Sequence, residues 1–550
     1  MKINLNKIIP FVFLFANLSV IVQAQVWQWS APVKSDYSPI SEAFLWIPEN
    51  CSQVKAVVFA QNNMEEFSIL TSDVFRKEMA DLGIAEIWVS PGLDLQFRFN
   101  ENAGTYFNEM MKRLAELSGY DELKYIPVIP IGHSAAASFP YYFAAWNPER
   151  TLAAISVSGQ WPYVRGNFSP DIWGKDQHID HIPLLETMGE YEAAATWSAE
   201  GLKERREHPY MALSMLACPA EGHFATTEKK NEYLAFYIRK AMQYRYPENY
   251  TSGIAPSLKP VDPTQTGWLA EKWIPDTAPT VSAAPVTEYK GDLAQAFWFF
   301  DEETVRKTQE YQSAYRNRKG QLAGYVQNGE LVPQRDSHSQ VHFPLITGED
   351  GITFYLKGTF LDTVPGQSRR TSVWTGLPAG SSVGHADHST PVSIDLIIGP
   401  VKKLNDTTFT IALERGMRER SSAYAVSFAA THPGDDTYKP AVQQSEMLVP
   451  VRNEEGKEQI ISFDALKDVE GETTSIRLNA TSDSGMPVYF YVKEGPAELV
   501  GNQLLFTKIP PRSKYPVKVT VVAWQYGRSV EPKIKSAEPI EQSFYINLNK

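Results

Sequence analysis

Three residue types, met in order along this chain, carry the chemistry open to it: a serine at 134, carboxylates at 190 and 192, and a histidine at 223. A serine hydroxyl does not attack a carbonyl at neutral pH unless a base removes its proton. Imidazole is the side chain suited to that pH, and it needs an acid to fix its tautomer and to stabilise its charged form. Together the three types allow attack on a carbonyl through a covalent acyl intermediate.

Ser134 lies in Ile131-Gly132-His133-Ser134-Ala135-Ala136-Ala137, where the apolar run 126–131 meets small residues and then a helical pattern. A sharp strand-to-helix turn strains the serine backbone and admits only small neighbours two positions to either side, here Gly132 and Ala136. The helix start after the turn offers unpaired N–H groups and a dipole to negative charge developing on a substrate oxygen. The string Gly-x-Ser-x-Ala arises by chance in many chains and lacks the usual final glycine, so its weight depends on the acid and histidine downstream. His223 comes after the strand-like run 211–217 and precedes the helical run 227–244. Glu192 is the first choice for the acid and Glu190 the second, both just beyond the run 182–187. The expected oxyanion donors are the backbone N–H of Ala135 and that of Asn63 or Met64, in the loop after 56–60. The blander readings are an ordinary tight turn at Ser134, a plain loop residue at His223 and solvated helix-start acids at 190 and 192.

These residues must be positioned by the elements between them. Apolar runs at 43–47, 56–60, 85–89, 126–131, 152–157, 182–187 and 211–217 alternate with helical patterns at 72–82, 106–117, 138–146 and 227–244. Strands alternating with helices predict a mostly parallel sheet covered on both faces, with the ligand beyond the carboxyl ends of the strands. The order serine, acid, histidine at such ends matches the α/β-hydrolase superfamily. Segment 41–246 resembles serine esterases of that superfamily. The fuller string Tyr120-Asp121-Glu122-Leu123-Lys124-Tyr125-Ile126-Pro127 before Gly132-His133-Ser134 resembles secreted, multidomain polysaccharide esterases, pectin methylesterases among them. The resemblance implies removal of methyl or acetyl esters from a plant polysaccharide without a cofactor. The residues depart from it in Ala136 for Gly, Glu for the commoner Asp, and no His-Gly oxyanion motif.

Length and composition set further bounds. At 550 residues the chain is too long for one core. Lys2 and Lys7, the apolar stretch 8–22 and Val22-Gln23-Ala24 predict a leader at 1–24 that is cleaved before Gln25, hence a secreted or periplasmic protein without membrane insertion. The catalytic domain is assigned to 25–251, a Pro, Thr and Ala-rich connector to 252–290, a β-rich domain with a helical patch at 292–315 to 291–455, and a β-sandwich to 456–550. In the last, Leu478-Asn479-Ala480-Thr481-Ser482-Asp483-Ser484-Gly485, with Gly495-Pro496-Ala497 after it, resembles bacterial immunoglobulin-like repeats.

A net charge of -12 argues against nucleic acid or a densely anionic partner. The aromatic share of 12% provides flat faces for sugar rings, although most must fill cores. Trp161 and Arg165 come after the run 152–157 and are candidates for the substrate cleft, against core packing for the one and a surface charge for the other. Arg165 would favour a uronate methyl ester. His385-Ala386-Asp387-His388 and Asp336-Ser337-His338 lack a third ligand at metal spacing, so no metal is expected. Gly434-Asp435-Asp436 reads as a turn rather than a calcium loop, and Cys51 and Cys218 are expected to stay unpaired. A lipase would need an apolar lid, and the stretch 161–181 is polar. A peptidase on the same fold and a non-catalytic carbohydrate-binding protein remain as rival readings.

Overall fold

Apolar runs too short for helices form one central sheet. The protein is described by a computed structural model covering residues 26–159, 172–173, 178–192, 194–225, 227–250, 253–335, 340–367, 369–417, 419–420 and 422–548. The expected leader, Trp161, Arg165, Asp336 and His338 lie outside these residues.

The sheet has eight strands: β1 (Trp29–Pro32), β2 (Glu42–Trp46), β3 (Ala56–Gln61), β4 (Ile84–Ser90), β5 (Val128–His133), β6 (Ala154–Val157), β7 (Pro183–Gly189) and β8 (Ala212–Cys218). Their spatial order is β1-β2-β4-β3-β5-β6-β7-β8. The first two pairings are antiparallel and those from β4 through to β8 are parallel. Every residue of β3 and β8 is buried, as parallel strands covered on both faces require. This largely parallel, helix-flanked sheet with its serine turn after β5 has the α/β architecture expected from the alternation of strand and helix runs. Edge strand β1 has no period-2 signal of its own; it is held by pairing to β2.

Six helices serve this domain: α1 (Glu66–Leu70), α2 (Asp73–Leu82), α3 (Ala103–Ser118), α4 (Phe139–Trp146), α5 (Ala194–Glu207) and α6 (Glu228–Arg245). On one face Phe75 and Met79 of α2 pack with Leu234 and Ile238 of α6 over Val58 and Ile131. On the other, Phe107 of α3 and Phe139 and Phe143 of α4 enclose Phe59. Helix α5, absent from the sequence expectation, has a weakly periodic sequence; it buries Ala194, Ser198, Gly201 and Leu202.

The helical patch expected at 292–315 divides. Leu293–Gln295 is a 3-10 turn, Ala296–Phe299 is a fully buried strand paired to Trp268–Glu271, and α7 (Glu302–Gln312) is the α-helical part. Four consecutive buried apolar residues suit a strand edge against β8, where the Ser214 hydroxyl donates to Trp298 O at 2.6 Å. The next region carries a five-stranded sheet and two three-stranded sheets around Phe354, Phe409 and Phe428, plus α8 (Arg369–Thr375). In the last region a four-stranded and a three-stranded sheet share a core of Leu504, Val519, Val521 and Phe544. That region folds back on the first: Arg512 reaches Glu122 at 2.9 Å, and its guanidinium lies 5.0 Å from the Tyr120 ring centroid. Among the described residues, no helix is long and apolar enough to cross a membrane.

Candidate active site

Ser134 has a φ of 54°, in the left-handed region that non-glycine residues seldom occupy. It starts a 3-10 turn, Ser134–Ala136, directly after β5. The turn passes so close to the strand that a Cβ on Gly132 would lie 2.1 Å from Ala136 O, so glycine is required there. Strain of this kind is stored where structure on both sides over-determines the backbone. Here those sides are a buried strand and the buried Ala136.

His223, in the loop between β8 and α6, places Nε2 2.7 Å from Ser134 Oγ. Glu192, at the end of the Glu190–Glu192 turn after β7, places Oε2 3.8 Å from His223 Nδ1. A proton on Nδ1 facing this carboxylate leaves Nε2 to accept from the serine hydroxyl. The 3.8 Å separation is an ion-pair distance, longer than a hydrogen bond. The sequence thus brings Ser134, His223 and Glu192 to one point from three strand ends.

Glu190 does not join them. Its Oε2 accepts the Ala220 N–H at 2.8 Å and its Oε1 meets Lys439 Nζ at 2.9 Å, an ammonium that also holds Asp276 at 2.9 Å. Neighbouring residues of a tight turn point different ways, and the second-choice acid is spent on this ion pair.

The oxyanion expectation is corrected in part. The backbone N–H groups of Asn63 and Met64 donate to Glu66 Oε2 at 3.0 and 2.7 Å, and that of His133 donates to Glu66 Oε1 at 2.7 Å. A carboxylate at the start of α1 thereby takes the two donors assigned to substrate. Burial pushes the Glu66 carboxyl up to about 7, against these three donated bonds. Ala135 lines the adjoining cleft.

Two residues of the site carried no sequence signal beyond their adjacency to others. His133 is fully buried; its Nε2 donates to His223 O at 2.9 Å, and burial drives its pKa down to about 3, so the ring stays neutral. Beneath it, Lys230 Nζ lies 3.4 Å from both Glu65 and Glu221. Burial works against the charge on Lys230, but the two carboxylates outweigh it and hold its pKa above the ordinary value.

A cleft of about 430 Å³ opens beside Ala135. Asn62, Met64 and Trp88 line it from the hydrolase domain, and Glu414, Arg415 and Glu446 from the middle β domain. The Arg415 guanidinium is engaged with backbone carbonyls, at 2.8 Å for Trp27 O and 3.4 Å for Gly495 O and Ala497 O.

His385 stacks on Phe360 at 4.3 Å and meets Asp362 at 3.3 Å, and among the described residues no three metal-ligating side chains cluster. Asp435 Oδ1 accepts the N–H groups of Thr437 and Tyr438, closing a turn. Cys51 and Cys218 are buried free thiols.

No family model and no curated protein sequence matches the chain. Among solved structures it is similar to esterase PE8, with 13% identity and a TM-score of 0.28 over 36% of this chain and 97% of that one. It is similar to Est1E from Butyrivibrio proteoclasticus, with 13% identity and a TM-score of 0.26 over 39% of this chain and 98% of the other. For the siderophore hydrolase EstA from Aspergillus nidulans, the identity is 11% and the TM-score 0.30, over 43% and 98% of the two chains.

Proposed function

We propose that this chain is a serine ester hydrolase that removes acetyl or methyl substituents from a plant polysaccharide such as pectin. The observation that carries the proposal is the 2.7 Å contact of His223 Nε2 with Ser134 Oγ, at a serine held with a φ of 54°. His223 Nε2 takes the hydroxyl proton while Oγ attacks the ester carbonyl, and the oxygen that gains negative charge meets the Ala135 N–H. The intermediate collapses, the alcohol leaves with the proton from His223, and water repeats the sequence on the acyl-serine to release the acid. Glu192 faces the Nδ1 side of the ring throughout.

The substrate class rests on the resemblance of 120–134 to polysaccharide esterases and on the Tyr37 ring, 43% exposed at the cleft. Acetate on a neutral sugar suits the described lining better than a uronate methyl ester. Glu414 and Glu446 face the cleft, and the one cation lining it among the described residues is committed to carbonyls. The leader read at 1–24 supports export to the periplasm or beyond, and the resemblance of 478–497 supports an immunoglobulin-like class for the last domain.

The test is release of acetate against methanol from acetylated and methylated pectins and xylans, with wild type beside Ser134→Ala. Acetate release by wild type alone is expected. A wild-type protein that neither releases product nor takes up a fluorophosphonate at Ser134 is a carbohydrate-binding protein on a hydrolase scaffold.

A further inference from the structure

The three residues of the acid turn are each held from the middle β domain. Lys439 meets Glu190 at 2.9 Å. The Trp374 Nε1–H donates to Tyr191 O at 2.8 Å, with the two rings 5.0 Å apart, and the Tyr191 hydroxyl donates to Pro440 O at 3.1 Å. Arg370, four positions before Trp374 on α8, donates through Nη1 to Glu192 Oε1. The histidine loop is tied the same way, since the Phe224 N–H donates to Gln444 Oε1 at 3.0 Å.

We propose that Arg370 is a positioning residue for the triad acid, reaching it across a domain boundary: it occupies Glu192 Oε1 and turns Oε2 toward His223. The inference rests on the ester-hydrolase reading above. Glu192 is 8% exposed, so the side chains that reach it, rather than water, set the direction of its carboxylate. With Oε1 held by Arg370, Oε2 lies where it stabilises the imidazolium that forms when Ser134 attacks. A guanidinium is suited to the role because its planar fork fixes the carboxylate's orientation and it never loses its charge.

His223 faces Glu192 from the histidine loop and Arg370 from α8. Glu190 lies on the same turn, neutralised by Lys439, which also carries Asp276. Behind His223 stands His133, whose ring centroid is 4.9 Å away, backed by Glu65, Lys230 and Glu221. Activity requires neutral His223. Removing the charge of Arg370 leaves the whole negative charge of Glu192 acting on His223, which raises the proton affinity of the imidazole. This moves the acidic limb of kcat/KM to higher pH.

The experiment compares wild type, Arg370→Met, Arg370→Gln and Arg370→Lys as full chains, by hydrolysis of p-nitrophenyl acetate across pH, with thermal melts and fluorophosphonate labelling. R370M and R370Q are expected to lose roughly 10- to 100-fold in kcat/KM at neutral pH, and their acidic limbs to rise by about one pH unit. R370K should return the limb to the wild-type position with part of the rate restored. An arginine that merely docked the domains would lower the melting temperature of R370M and leave the limb where it was. An unmoved limb in whichever neutral variant melts cooperatively overturns the proposal. Wild type that fails to label overturns the ester-hydrolase reading itself, whereas labelled wild type with unmoved limbs overturns only the role of Arg370.

Discussion

His133 Nε2 donates to the backbone carbonyl of His223 at 2.9 Å, so the residue before the nucleophile holds the loop that carries the base. The contact fixes the distance between Ser134 and His223 from the strand side. It also brings a second imidazole close to the first without a charge, because burial drives the His133 pKa down to about 3.

His133→Ala removes this donor and leaves the His223 carbonyl unsatisfied. A net hydrogen bond of about 1 kcal/mol predicts a fall in kcat of roughly 5-fold with KM little changed. Steady-state kinetics on a small acetate ester checks it; equal changes in kcat and KM would show that His133 shapes the substrate site instead.

Gly132→Ala places a Cβ 2.1 Å from Ala136 O in a segment with no room to move. A loss of more than about 3 kcal/mol is expected, together with loss of fluorophosphonate labelling. Ala136→Gly, which restores the more usual elbow residue, should cost only about 0.5–1 kcal/mol through backbone entropy and still label. Chemical denaturation with active-site labelling reads both.

Glu186 on β7 is 1% exposed, and among the described residues neither of its oxygens has a hydrogen-bond partner. Burial pushes its carboxyl up to about 8, against an ordinary value of 4.5. The native state therefore keeps a proton that the unfolded chain releases, and stability falls as pH rises from the ordinary value toward 8. Glu186→Gln should be neutral at acidic pH and should stabilise on the order of 1–3 kcal/mol in alkaline buffer. Melting curves at two pH values test the sign, and equal shifts at both would refute it.

Arg512 pairs with Glu122, whose side chain is only 4% exposed. Arg512→Ala strands that carboxylate and should lower stability by about 1–3 kcal/mol. Because its partners are Tyr120, Ser52 and Glu122, all outside the active site, kcat should not change. A calorimetric scan that separates the last domain from the first would locate the loss.

Local legibility in this chain divides along physical lines. The strand runs 56–60 and 211–217 announce themselves because a strand buried on both faces is a continuous apolar run, and that run is a property of consecutive residues. Edge strand β1 and helix α5 lack such a pattern, and partners elsewhere in the chain hold them. Ala296–Phe299 falls within a helical patch on sequence because a short apolar segment fits either period; its burial against β9 (Trp268–Glu271) makes it a strand.

At the site, the serine turn can be read from Gly132 and Ala136, since the steric demand of the elbow acts within two residues. The loop positions of the acid and the base follow from their places after strand runs. The choice between Glu190 and Glu192, the capture of the Asn63 and Met64 N–H groups by Glu66, and the clamp of Arg370 on Glu192 do not. They depend on where side chains point once loops are packed, and on contacts such as Arg370 with Glu192, 178 residues apart, or Lys439 with Glu190, 249 apart. By itself the sequence determined the sheet, the nucleophile's turn and the order of the reacting groups, because steric and periodic constraints act on neighbours. Only the tertiary structure decided which carboxylate faces His223 and which region holds it, because electrostatic partners are selected by distance in space.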